Sequence, residues 1–251
     1  MSNISSVIAI AKKAGDAILA IYHADDFDVQ YKSDHSPVTE ADLTANRIII
    51  SGLNLISDFP VLTEESQVGY QQRKDWQKYW LVDPLDGTKN FIAKRGDFTV
   101  NIALIEGQQP ILGVVYIPVT GDMYFAEKDL GAFKNDESIF NHSTRKNLIA
   151  ANSVFHSSDK MINFFKEHRI TQIIEFGSSL KICKLAEGVI DVYPRLNGTK
   201  EWDTAASHVI ANEAGCKLID VQTLKPLLYN KLSLKNNHFI ASRNDLQFIS
   251  A

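Results

Sequence analysis

Cysteine is nearly absent: the 251 residues include only Cys183 and Cys216. Two thiols cannot staple a chain of this length, so a disulfide scaffold is excluded and a reducing compartment is expected. No apolar run approaches the roughly 18 residues needed to cross a bilayer. The stretch from Met1 to Lys13 has no cationic region ahead of its short apolar segment, so it does not read as a secretory leader. The expected address is the cytoplasm. A basic surplus is missing as well. Lys and Arg number 26 against 30 Asp and Glu, a net charge of −4. That balance argues against a nucleic-acid binder while leaving room for one local cationic pocket. Internal repeats and low-complexity tracts are also lacking. What remains is an ordinary globular composition, 45% hydrophobic and 22% charged. The length suits one large domain or two fused lobes.

Val7, Ile10, Ala14, Ala17, Ile18 and Ile21 recur at three- and four-residue steps, one face of an amphipathic helix. A second helix is expected from about Thr39 to Ser57, with Leu43, Ile49, Ile50, Leu53 and Ile56 on its apolar face. Thr39 and Asp42 have capping-box spacing. From Tyr79 the pattern turns to strands: Trp80–Val82, Phe98–Ile105, Ile111–Ile117 and Met123–Phe125, separated by turn residues. After about Asn147 strands and helices alternate. Strands are expected at Leu148–Ala151, Gln172–Phe176 and Val189–Tyr193. Helices are expected at Asp159–Glu167, Ser178–Glu187 and Asp203–Ala214. Layered sheets and helices follow, with a soft boundary near residue 145. The expected lobes are an α+β lobe over 1–145 and an α/β lobe over 146–251.

Chemistry concentrates in Val82-Asp83-Pro84-Leu85-Asp86-Gly87-Thr88-Lys89-Asn90-Phe91. Two aspartates leave a buried strand together, and carboxylate oxygens are hard ligands suited to Mg²⁺. Gly87 and Thr88 stand where a helix can begin, and free N–H groups at a helix start suit phosphate. The bland alternative is a solvated turn. A second segment, Glu201-Trp202-Asp203-Thr204, places an aspartate at an expected helix start, where a simple N-cap is the commonest role. A third, Thr63-Glu64-Glu65, sets paired acids after a short apolar run. Together these segments supply four carboxylates that could converge on cations. The two cysteines read as small core residues, and the histidines show no metal-ligand spacing.

These motifs resemble the inositol monophosphatase superfamily of Mg²⁺-dependent, lithium-sensitive phosphatases. Asp83–Phe91 is similar to its first signature and Trp202–Gly215 to its second. Glu64 and Asp42 match further active-site acids, and the likeness runs from Thr39 to about Ile219. The implied fold is α/β, a layered α-β-α-β-α sandwich. Within the superfamily, Tyr79–Lys89, Gly177-Ser178-Ser179-Leu180-Lys181 and Tyr193-Pro194-Arg195 resemble the bacterial 3'(2'),5'-bisphosphate nucleotidases of sulfate assimilation. Two departures stand out. Asn90 is more usual in the inositol branch, and the stretch Ala151–His156 lacks a Ser-Arg-Ser-His pattern, so His156 is not assigned.

The resemblance implies the following roles. Glu64, Asp83 and the carbonyl of Leu85 would hold a first Mg²⁺. Asp83, Asp86 and Asp203 would hold a second about 4 Å away, with a third ion near Glu64 allowed. Thr88 and Asp42, with Glu64, would orient the attacking water. Gly87 and Thr88 amides would hold the phosphate beside Glu64, Asp86 and Asp203. Ser178, Lys181 and Arg195 would form the nucleotide end. The expected activity is hydrolysis of 3'-phosphoadenosine 5'-phosphate (PAP) to AMP and phosphate, with its sulfated form (PAPS) as a second substrate. The rival readings are an inositol monophosphatase, against which Lys181 and Arg195 argue, and a catalytically inactive nucleotide sensor. The expected partner is a small nucleotide, with no nucleic acid and no integral membrane segment. The oligomeric state is left open between monomer and homodimer. Attachment to the inner face of a membrane is suggested by resemblance alone, and the sequence has no strongly basic amphipathic segment to support it.

Overall fold

The computed structural model describes residues 4–24, 29–31, 37–155 and 158–248. His156, with the loop residues Asp34 and Ser36, lies outside them. Two sheets organise the chain. The first has seven strands in chain order: β3 (Val61–Thr63), β4 (Lys78–Asp86), β5 (Thr99–Glu106), β6 (Gln109–Ile117), β7 (Asp122–Glu127), β8 (Gly131–Lys134) and β9 (Glu137–Ile139). Only the β3–β4 pair is parallel. The second sheet is built from β10 (Ile149–Ser153), β11 (Gln172–Phe176), β12 (Val192–Arg195), β13 (Cys216–Asp220) and β14 (Phe239–Arg243). Its order is β11-β10-β12-β14-β13. A two-stranded ribbon, β1 (Val29–Tyr31) with β2 (Pro37–Thr39), stands apart.

Side-chain alternation along the strands sets the layers. In β4, Trp80 and Val82 face one way and join a core with α1 (Ile4–Tyr22) and α2 (Glu40–Ile56). Tyr79 and Leu81 face the other way. They meet α6 (Leu180–Ala186) and α7 (Ala205–Glu213), which pack in turn on the second sheet, covered outside by α5 (Asp159–Glu167). The result is the α-β-α-β-α sandwich. The central strands read as unbroken apolar runs because both faces are covered. Gly113 of β6 lets α7 approach closely, since any Cβ there would run into the Ala206 carbonyl oxygen. Short helices α3 (Tyr70–Arg73) and α4 (Thr88–Ile92) complete the chain.

Several expectations shift. Leu43 does not belong to the buried face of α2. It is 42% exposed, while Ala41, Ala45, Ile49 and Leu53 carry the packing. Strand β12 begins three residues later than the sequence suggests. Val189 and Ile190 N–H groups still donate to the Lys184 carbonyl, so the helix-ending turn consumes them. Likewise α7 begins at Ala205, after a turn over residues 201–204, and Thr204 takes the N-cap position. Asp203 is therefore not a helix cap. The ribbon, α3 and the short, largely uncovered strands β8 and β9 at one end of the sheet left no apolar periodicity to read.

Candidate active site

A cleft of about 500 Å³ opens where the C-terminal end of β4, the turn before α7 and the loop before α6 meet. Its floor is acidic. Glu64, Asp83 and Asp203 each bring a carboxylate oxygen within 4.8 Å of the others. Asp83 and Asp86 both reach the cleft although residues three apart in a regular strand face opposite sides. The β4–β5 register shifts between these two residues, and that irregularity turns both carboxylates inward. Asp83 accepts a hydrogen bond from the Leu85 N–H at 3.1 Å. Asp86 Oδ2 accepts from the Ser178 hydroxyl at 2.5 Å and the Ser179 N–H at 2.7 Å. Asp203 accepts from the Lys200 N–H at 2.9 Å.

The charges are mutually unfavourable. Burial pushes the Asp83 carboxyl well above its usual range, and Glu64, Asp86, Asp203 and Asp42 add to the effect. Desolvation also raises Asp203, with Asp86 and Glu64 reinforcing it. Buried acids crowded in this way are neutralised by holding a proton or by binding a cation. The donors are all hard oxygens, a set that fits Mg²⁺ and not a soft metal.

Beside the floor, Thr88 opens α4. The preceding Gly87 adopts φ 91°, a left-handed conformation that glycine takes without strain. Thr88 Oγ1 donates to Asp42 Oδ1 at 3.1 Å and lies 3.3 Å from the Leu85 carbonyl oxygen. The Asp42 Oδ2 accepts from the Thr39 N–H at 2.8 Å and the Thr39 hydroxyl at 2.6 Å, closing the capping box of α2. One carboxylate thus fixes a helix start with one oxygen and holds Thr88 with the other. Burial raises the Asp42 pKa despite these donors.

The opposite wall is cationic. Arg195 is buried on the cleft, its Nη2 donating to the Gly198 carbonyl at 3.1 Å and its Nε without a hydrogen-bond partner among the described residues. Phe155, 46% exposed, adds an aromatic face.

The model of the inositol monophosphatase family matches residues 2–249. The chain belongs to the inositol monophosphatase family. It is 44% identical over 232 residues to the 3'(2'),5'-bisphosphate nucleotidase CysQ of Escherichia coli K12, covering 90% of this chain and 93% of that one. The crystal structure of CysQ from Bacteroides thetaiotaomicron superposes with a TM-score of 0.87 at 40% identity, covering 97% and 98% of the two chains. The IMPase of Thermotoga maritima gives 0.83 at 25% identity, covering 96% and 92%.

Within this family member, the sequence-predicted residues fall in three groups. Glu64, Asp83 and Asp203 converge, and Thr88 meets Asp42. Asp86 is beside them but committed on one oxygen to Ser178 and Ser179. Lys181 lines the cleft, yet its ammonium donates to the Phe176 carbonyl at 3.1 Å and the Ser178 carbonyl at 2.6 Å. Burial pushes its pKa down to about 7, helped by Arg195 and opposed by Asp86, Asp97 and Asp203. It braces the loop carrying Ser178, which itself sits at φ 51°.

Sequence reasoning missed a polar network behind the floor. Thr99 Oγ1 lies 2.5 Å from Ser178 Oγ and 2.9 Å from Ser179 Oγ. Ser179 donates to Asn101 Oδ1 at 2.7 Å, and Asn101 pairs with Asp83 across the strands. Asn90, which lines the cleft, donates to Asp97 at 2.5 Å. Thr99 and Asn101 are two apart on one strand, the only signal the sequence offers for them.

Proposed function

We propose that this protein is a Mg²⁺-dependent 3'(2'),5'-bisphosphate nucleotidase that hydrolyses PAP to AMP and phosphate, with PAPS as a second substrate, and that it serves sulfate assimilation. The observation that carries the reading is the pairing, in one cleft, of an acidic floor with a buried Arg195 whose Nε is left without a partner among the described residues. A polyol phosphate needs only the floor. A bisphosphate nucleotide also needs a donor for its remote end, and a guanidinium suits phosphate.

Glu64, Asp83, the Leu85 carbonyl, Asp86 and Asp203 would hold two Mg²⁺ ions, with room for a third near Glu64. Bound magnesium supplies Lewis acidity, making water a stronger acid and screening charge on the phosphoryl oxygens. The chain's own residues do the rest. Because the Thr88 hydroxyl spends its proton on Asp42, its oxygen is free to accept one from the attacking water. Asp42, raised by burial, is the stronger base for it. The Gly87 and Thr88 amides would steady the phosphate. Ser178 and Arg195 would contact the nucleotide, and the Phe155 ring offers a face for its base. Lys181 would act through the Ser178 loop.

A panel of PAP, PAPS, inositol phosphate and fructose bisphosphate tests the reading. Arg195→Ala should lower kcat/KM for PAP by about 2–4 kcal/mol while affecting a small monophosphate far less. Equal losses would assign Arg195 to the fold. A wild-type preference for inositol phosphate would sink the nucleotidase reading and favour its rival.

A further inference from the structure

We infer that Lys200 and Lys235, on the rim of the cleft, grip the phosphate of the nucleotide that is not being hydrolysed; the inference rests on the nucleotidase reading. The two lysines face each other across an isolated antiparallel bridge outside the named strands. Bridged side chains stand about 5 Å apart at Cβ, and like charges so placed repel. Among the described residues no carboxylate offsets the repulsion. Both lysines are exposed and line the cleft, and neither ammonium has a hydrogen-bond or carboxylate partner among the described residues. Other lysines do find one: Lys78 with Glu106, Lys134 and Lys184 with Glu187, Lys231 with Glu201.

The pair is also aimed. The Lys200 N–H caps the Asp203 carboxylate, so this rim begins at the floor itself. The Lys200 ammonium stands 5.8 Å from the Trp202 ring centroid. The stem of Lys235 crosses Gly198, where an added Cβ would lie 2.8 Å from its Cε. The carbonyl of that same Gly198 holds Arg195. The Lys235 stem and the Arg195 guanidinium therefore meet at one glycine, and Lys200 follows two residues later on the same rim, next to a floor that would hold the reacting phosphate. The positive field extends outward, since burial together with Lys160 and Lys235 holds His238 below its usual range. A second phosphate dianion is the ligand this arrangement would take, with lysines serving as mobile point charges beside the planar fork of Arg195.

The test compares PAP with adenosine 3'-phosphate, which has no 5' phosphate, for wild type, Lys200→Ala, Lys235→Ala and the double variant. The expected result is a fall of about tenfold or more in the PAP-over-monophosphate ratio of kcat/KM in the double variant. The change should lie in KM, with a weaker dependence on salt than wild type shows. Lys235→Arg should restore most of the ratio, and Lys12→Ala, on the exposed side of α1, should not change it. If wild type prefers PAP and the double variant keeps that preference, or loses both substrates equally, this inference is wrong and the nucleotidase reading stands. If wild type shows no preference for PAP, the nucleotidase reading fails and takes this inference with it.

Discussion

Asp83 and Asp191 are equally hidden from solvent, at 1% and 0% exposure, and they sit in opposite electrostatic company. Asp191 accepts from the Ser143 hydroxyl at 2.6 Å and the Ile149 N–H at 2.8 Å, and it is paired with the buried Arg243 at 2.9 Å. Asp83 has one backbone donor and four acidic neighbours. The same contrast recurs two residues apart in one turn. Glu201 is met by the Asn230 and Lys231 N–H groups and the Lys231 ammonium, whereas Asp203 faces Asp86 and Glu64. Burial alone does not mark a functional carboxylate. The sign of its neighbours does: a buried acid met by donors and a cation belongs to the fold, and a buried acid crowded by other acids marks a candidate functional site.

Neutralising one acid of each kind should separate them. Asp83→Asn should abolish nearly all turnover, yet the metal-free variant should melt higher than metal-free wild type because repulsion is relieved. Thermal melts and phosphate release in chelator and in Mg²⁺ check both halves. Near-wild-type turnover at ordinary Mg²⁺ would remove Asp83 from the metal site. Arg243→Ala should do the reverse, costing about 3 kcal/mol of stability by leaving the buried Asp191 carboxylate only the half-exposed Arg145, at 3.4 Å, as a cationic partner. Its kcat/KM per folded molecule should be unchanged, as denaturant titration and assay at low temperature can establish.

The smallest effect is a pH dependence. Asp42, Asp83 and Asp203 have folded-state pKa values above those of the unfolded chain. The folded protein therefore holds protons the unfolded chain has released. That contribution is complete below the ordinary aspartate range and is lost as pH rises through the raised values. Metal-free wild type should lose melting temperature as pH rises above the ordinary aspartate range. Asp83→Asn should lose less, and saturating Mg²⁺ should flatten the slope. An equal slope in all three would show that these acids do not govern the cluster.

Local signals were legible in the chain, and contacts between distant segments were not. The capping box of Thr39 and Asp42 is a three-residue spacing, and the structure forms it. The aspartates of Asp83–Asp86 could be placed at a strand end because a buried run leads into them. The register shift that aims both inward depends on pairing with β5 and has no signature in the strand itself. Ser179 and Thr99 meet across 80 positions, so neither stands out from an ordinary loop or strand residue. Lys181 shows the converse difficulty. Its residue type suggested a phosphate contact, but the carbonyls of Phe176 and Ser178, five and three residues earlier, take its protons. Leu43 looked like core by periodicity, yet the face of α2 that meets the sheet is set by small residues, Ala41 and Ala45.

The two cysteines carry a practical consequence. Cys183 and Cys216 are 0% and 2% exposed, and burial drives both thiols upward, Cys216 to about 12. Neither forms a nucleophilic thiolate near neutral pH. The native protein is therefore chemically silent toward maleimides, with no background sites to remove before labelling. A single Gln67→Cys substitution would give one reactive handle at the mouth of the cleft. A fluorophore attached there would report ligand entry directly, without a coupled enzyme assay and without turnover.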